Sequence, residues 1–153
     1  RLDCLYITLP SEKDFTDTEA AINHAIELGI RDITVYGGIG GRLDHTLGNV
    51  GLLEKYLGKL DHLEFMDEKN SMQLLDGESC STTILTPISN YRFFSLVSLD
   101  SAADGISITG AKYNLDNASI SRASTLCISN EIILNQAHIS VHKGKVLLMR
   151  SAD

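Results

Sequence analysis

The sequence predicts a two-part fold, α/β followed by all-β: a parallel-sheet α/β part over residues 1–70, N-terminally incomplete, and an antiparallel β-sandwich over residues 71–153. Two observations lead there. Up to about Asp67 the chain alternates helix-period and strand-like segments, the rhythm of a parallel sheet with crossover helices. Beyond it, short Ser/Thr-rich alternating runs are cut by Asp76-Gly77, Asp104-Gly105, Asn90 and Lys143-Gly144, which are hairpin and turn signals. No low-complexity linker separates the parts, so the junction near residues 67–75 is expected to be tight.

The opening "LDCLYITLP" is apolar and β-branched enough for a strand, ended by Pro10, and "SEKDFTD" is a charged loop. "TDTEAAINHAIELGI" predicts a helix. Thr16 and Glu19 have capping-box spacing, Ile22, Ala25 and Ile26 share a face, and Gly29 suits the left-handed position after the last turn. "DITVYG" predicts a buried strand and "HTLGNVGLLEKYL" a second helix with Leu47, Val50 and Leu53 or Leu57 inward. Gly48 and Gly51 weaken that helix, which implies compensating close packing against a neighbour or ligand. "HLEFMD" predicts the next strand, and roughly six strands are expected after it.

A formal charge of -7, from 20 acidic and 13 basic residues, argues against a surface evolved for nucleic acid or anionic lipid. No apolar run approaches the roughly 20 residues needed to span a bilayer, and no signal segment opens the chain, so a cytoplasmic setting is expected. Cys4, Cys80 and Cys127 are odd in number and far apart, hence reduced and mostly buried thiols.

Two clusters carry the chemistry. "YGGIGGRLDHTLGN" sets Gly37, Gly38, Gly40 and Gly41 between a strand and a helix, where backbone N–H groups and the helix dipole favour an anion. Neither the dinucleotide fingerprint, whose third glycine would fall at Leu43, nor a Walker loop is completed. The alternative is a tight turn with Asp44 as N-cap. Arg42 can grip a phosphate at two points and Asp44 can hold a metal, a ribose hydroxyl or the arginine itself; His45 suits either a base or a hydrogen-bonding neighbour. "EKDFTD" supplies Lys13, Asp14, Thr16 and Asp17, hard donors suited to Mg2+ or, in the bland reading, a capping box with acidic first-turn residues. Adjacent parallel strands bring their carboxyl-end loops together, so the two clusters should converge and fit phosphoryl or nucleotidyl transfer. His138 and His142 are expected on one face of a strand, without further ligands.

"PSEKDFTDTEAAINHAIELG" followed by "GGIGGRLDHTLGN" resembles the bacterial thiamine pyrophosphokinase family, and the likeness runs through "ITGAKYNL" and "CISNE" to the last strand. The resemblance implies an α/β catalytic domain joined to a thiamine-binding β-sandwich. It also implies a homodimer with sites at the subunit interface, and Mg2+-dependent transfer of the pyrophosphoryl group of ATP to the hydroxyl of thiamine, giving thiamine diphosphate and AMP. By motif position, Asp17 is the implied Mg2+ ligand, with Asp14 and Thr16 shaping the metal-triphosphate site and Lys13 near substrate hydroxyl or phosphates. Arg42 would neutralise phosphate charge and Asp44 bind nucleotide or metal-bound water. Gly37, Gly38, Gly40 and Gly41 would give backbone access, Asn49 would face the nucleotide, and Ser129 and Asn130 would line the thiamine pocket. The family's upstream Gly-Asp-Phe-Asp-Ser segment, whose aspartates complete the Mg2+ site, does not occur in these 153 residues. A catalytically impaired thiamine- or nucleotide-binding module and a Mg2+-dependent phosphohydrolase are therefore the competing expectations.

Overall fold

The computed structural model describes residue 8 and residues 12–153. The expected first strand and Cys4 lie almost wholly outside the described residues. Helix α1 spans Asp17–Glu27, with the Thr16 hydroxyl accepting from the Glu19 N–H at 3.2 Å, as the capping box requires. Glu19 does not complete the box; its carboxylate pairs with Lys55 instead. The helix ends as expected, with Gly29 at φ +83°. Ile22 is buried, and Ile26 packs partly buried against the same core.

Helix α2 spans Leu43–Lys55. Its N-cap is Arg42, with extended backbone and no side-chain cap bond, so Asp44 lies in the first turn and is not the cap. The inward stripe is Asn49, Leu52, Leu53 and Tyr56, the i, i+3, i+4, i+7 spacing of a buried helix face. Leu47, expected inward, is exposed. Added methyl groups at Gly48 and Gly51 would meet no described atom within 4 Å, so close packing within the described protein does not compensate for these glycines.

The sheet core begins with β1 (Asp32–Tyr36) and β2 (His62–Met66), paired in parallel from Asp32↔His62 to Tyr36↔Met66. Strand β3 (Asn70–Asp76) then turns back antiparallel on β2. The sheet continues through β10 (Lys145–Ser151), β5 (Phe93–Ser98) and β8 (Asn130–Glu131), giving the order β1-β2-β3-β10-β5-β8. Among the described residues the parallel register therefore holds for one strand pair, and a single mixed sheet runs across residue 70. Strand β1 is the edge of this sheet among the described residues and alternates exposed and half-buried residues, where a buried strand was expected. A second, antiparallel sheet has the order β4-β9-β6-β7, with β4 at Thr82–Leu85, β6 at Ala102–Thr109, β7 at Leu115–Ser121 and β9 at Ala137–Ser140.

Two cores follow from this layering. Ile22, Leu52, Leu53 and Tyr56 of the helices cover Leu63, Phe65, Met72 and Leu147 on one face of the mixed sheet. On its other face Phe94, Leu96, Val146 and Leu148 meet Ile106, Ile108 and Ile139 of the second sheet. Strand β10 serves both cores, because its alternate side chains point to opposite faces. Eight strands follow Asp67 among the described residues, more than the rough expectation of six.

Candidate active site

Both helix N-termini lie at the carboxyl edge of the parallel pair. Chain direction dictates this for α2, which follows β1 through the glycine loop, and α1 runs back alongside β1. Thr18 in the first turn of α1 lines one hollow with Thr34, Val35 and Tyr36 at the end of β1. The two sequence clusters are thus set on the same rim, where open α/β sheets place their ligands.

The glycine loop is tied down on its inner half and open on its outer half. Gly37 N–H donates to the Met66 carbonyl at 2.9 Å, and the Asn49 amide donates to the Gly38 carbonyl at 2.7 Å. A Cβ on Gly38 would come within 2.5 Å of Phe65 Cδ1, so only glycine lets the loop sit this low. Gly40 and Gly41 both have positive φ, and a Cβ on Gly41 would meet nothing described.

Arg42 and Asp44 stand exposed at the outer end. Arg42 Nε donates to Asp44 Oδ1 at 3.1 Å and Nη2 to Oδ2 at 2.5 Å. The guanidinium, bonded to the carboxylate, holds Asp44 below the usual carboxylate range, and Asp44 in turn raises Arg42. The expected partnership is therefore present, closed upon itself. His45 gives its backbone N–H to Asp44 Oδ1, and no hydrogen bond of its ring occurs among the described residues.

In the other cluster, Lys13 pairs with Asp17 at 2.8 Å, the lysine largely covered and the aspartate 84% exposed. Asp14 is exposed, and the Thr16 hydroxyl is engaged in the helix cap. Among the described residues no three His, Cys, Asp or Glu side chains converge as a metal cage. Hard carboxylate donors are nevertheless present at the rim, and Mg2+ arriving with a triphosphate needs only one or two of them.

Sequence reasoning missed Asp67. It follows β2 at the same rim, its Oδ1 accepting from Lys69 and Asn70 N–H, its Oδ2 3.8 Å from where a Cβ on Gly40 would lie. A carboxylate at the end of the second parallel strand was the available signal.

Ser129 and Asn130 form a second group, on the β8 edge of the mixed sheet, and no hydrogen bond or ion pair joins them to the glycine loop among the described residues. Ser129 has φ +58°, held by its N–H on Ser95 Oγ at 3.0 Å. Asn130 is 2% exposed and brackets one residue: its Oδ1 accepts from Tyr113 N–H at 3.0 Å and its amide donates to the Tyr113 carbonyl at 2.7 Å. Tyr113 itself is left 57% exposed. Beside it Glu131 pairs with both Arg92 and Lys112 at 3.0 Å, and these cations hold its carboxyl below the usual range. His138 lies in β9 and His142 beyond its end, so the two do not share a strand face.

Residues 1–65 match the model of the thiamin pyrophosphokinase catalytic domain, and residues 81–146 match that of the thiamin pyrophosphokinase vitamin B1 binding domain. The chain belongs to the thiamin pyrophosphokinase family. It is 34% identical over 143 residues to the thiamine pyrophosphokinase of Bacillus subtilis (strain 168), covering 94% of this chain and 65% of that protein. The crystal structure of the Bacillus subtilis thiamine pyrophosphokinase superposes with a TM-score of 0.84 at 34% identity, over 93% of this chain and 65% of that one. That of the Geobacillus thermodenitrificans thiamin pyrophosphokinase gives 0.82 at 38% identity, over 94% and 65%. The chain thus spans just under two thirds of these relatives. Strand β1 and all but the last residue of β2 fall in the first family match and β5 and β8 in the second, so the mixed sheet is shared between the two family domains.

Proposed function

We propose that this chain forms the greater part of an enzyme that transfers the pyrophosphoryl group of ATP to the hydroxyl of thiamine, releasing AMP. The observation that carries this reading is the half-anchored glycine loop, with Arg42 and Asp44 at its open end and Asp14 and Asp17 on the same rim. A triphosphate would lie along the exposed N–H groups of Gly40 and Gly41, and Arg42 would leave Asp44 to neutralise charge on the transferring group. The thiamine oxygen attacks the β-phosphorus, the bond from that phosphorus to the α–β bridging oxygen breaks, and AMP leaves with that oxygen. Either Asp44, once freed from Arg42, or Asp17 would take the hydroxyl proton. Mg2+ would spread phosphate charge, with Asp17 contributing one carboxylate beside Asp14, and Lys13 balancing it.

In the sandwich, Ser129 and Asn130 would build the thiamine site, Asn130 acting by presenting the Tyr113 ring as an aromatic face for a cationic heterocycle. Exposed Leu126, Ile133 and Leu134 support a homodimer that covers them, and a cytoplasmic setting fits ATP as co-substrate.

The deciding experiment measures AMP formed from ATP and Mg2+ with and without thiamine, using this chain and the natural-length protein. Thiamine-dependent AMP from the natural-length protein is the expected result. Phosphate release independent of thiamine would mean a phosphohydrolase, and thiamine or ATP binding without turnover a binding module.

A further inference from the structure

Asn49 occupies an apolar position with a polar side chain. It heads the buried stripe of α2 that continues through Leu52, Leu53 and Tyr56, and only 6% of it is exposed. Packing alone calls for leucine or alanine there, since an amide in such a place costs free energy unless it is bonded. Its bond goes to the Gly38 carbonyl, 11 residues back and within the glycine loop. That same glycine sits so close to Phe65 that a Cβ would clash, and would lie 3.2 Å from the Asn49 amide itself. Met66 ties the preceding residue through Gly37 N–H. The loop's inner half is therefore seated in a socket made by one helix side chain and one strand, while Gly40 and Gly41 stay open.

We infer that Asn49 is a positioning residue: its amide locks the inner half of the glycine loop so that the Gly40 and Gly41 N–H groups are already aimed at the triphosphate before it binds. This assigns the side chain to the loop and not to the nucleotide, which it was expected to face. The inference rests on the proposed ATP-binding role of this rim. A preformed cradle avoids ordering the loop at the moment of binding, so loss of the lock should weaken ATP and leave the second ligand untouched.

The test titrates the natural-length protein with MgATP and, separately, with thiamine, for the parent and for Asn49→Ala, Asn49→Asp and Gly38→Ala. Asn49→Asp keeps the shape and removes the donor. Tyr56→Phe is the structural control, since it deletes a hydroxyl bond from the end of α2 to Asn23 of α1, 2.7 Å long, and involves no residue of the glycine loop. The Asn49 variants and Gly38→Ala should raise the ATP dissociation constant, and KM for ATP, by about tenfold while thiamine affinity holds. Tyr56→Phe should lower the melting temperature with ATP affinity unchanged. Folded Asn49 variants with parental ATP affinity, or equal losses for ATP and thiamine, would overturn the inference. Failure of both Asn49 variants to fold would also overturn it, by assigning the residue to stability alone. A parent protein that binds no MgATP would instead remove the functional reading and the inference together.

Discussion

Arg42 and Asp44, two residues apart, face each other fork to fork at 3.1 and 2.5 Å on an exposed helix start. An exposed pair of this kind adds little to stability, so removing it should leave the fold intact. Arg42→Ala should cut thiamine-dependent AMP formation by about a hundredfold or more, with an unchanged thermal melt. Arg42→Lys should recover part of the loss, because the charge returns and the planar fork does not. A large drop in melting temperature for Arg42→Ala would place the pair in the fold instead.

Thr16 caps α1 and thereby holds Asp17 at the rim. Thr16→Ala should cost about 1 kcal/mol of unfolding free energy in a urea titration, and Thr16→Ser or Thr16→Asn much less. Equal losses for all three would mean that the hydroxyl bond to Glu19 N–H is not the cause.

Asn130 and Tyr113 separate structure from recognition. Asn130→Ala leaves the N–H and carbonyl of Tyr113 without their partner, and should cost about 2 kcal/mol as well as weakening thiamine binding. Tyr113→Ala should weaken thiamine binding at nearly full stability, while Tyr113→Phe retains it. Unchanged thiamine affinity in Tyr113→Ala would exclude the ring from the site.

Glu131, set between Arg92 and Lys112, has its carboxyl pKa lowered in the folded state. The unfolded chain then binds the proton more readily, so stability rises with pH through this titration. The contribution is fully present above the ordinary glutamate value of about 4.3 and is lost as pH falls through the lower folded value. Melting temperature plotted against pH should therefore fall less steeply on the acid side in Glu131→Gln. Parallel acid limbs would show that the pair does not discriminate folded from unfolded protein.

The cysteines should divide by accessibility. Cys80 is exposed, whereas Cys127 is buried and its thiol pKa is raised by desolvation. In native protein at neutral pH a thiol reagent should modify Cys80 readily and Cys127 only after unfolding. Mass mapping that finds Cys127 modified first would contradict the burial.

Local signals were legible where one residue type serves one backbone need. Thr16 as cap, Gly29 after the helix, the turn glycines and the two clusters at strand ends could all be read directly. The inward face of α2 was misplaced, because Leu47 and Leu53 share a helical period yet only one meets the sheet. The bond from the Asn49 amide to the Gly38 carbonyl could not be read, because the two are neighbours only in space. Asp67 passed unnoticed since one carboxylate after one strand is unremarkable until Gly40 lies against it.

By itself the sequence determined the element types, the two-part β-rich organisation and the motif pair that belongs to the thiamin pyrophosphokinase family, all properties of spacing along the chain. Tertiary structure alone decided that one mixed sheet serves both parts, that β10 carries two cores on opposite faces, and that Asn49 and Asn130 hold backbone rather than lying open. The reason is physical: period and capping act within a few residues, whereas burial and hydrogen-bond satisfaction depend on strands far apart in the chain, such as β3 and β10, paired from Lys145↔Asp76 to Ser151↔Asn70.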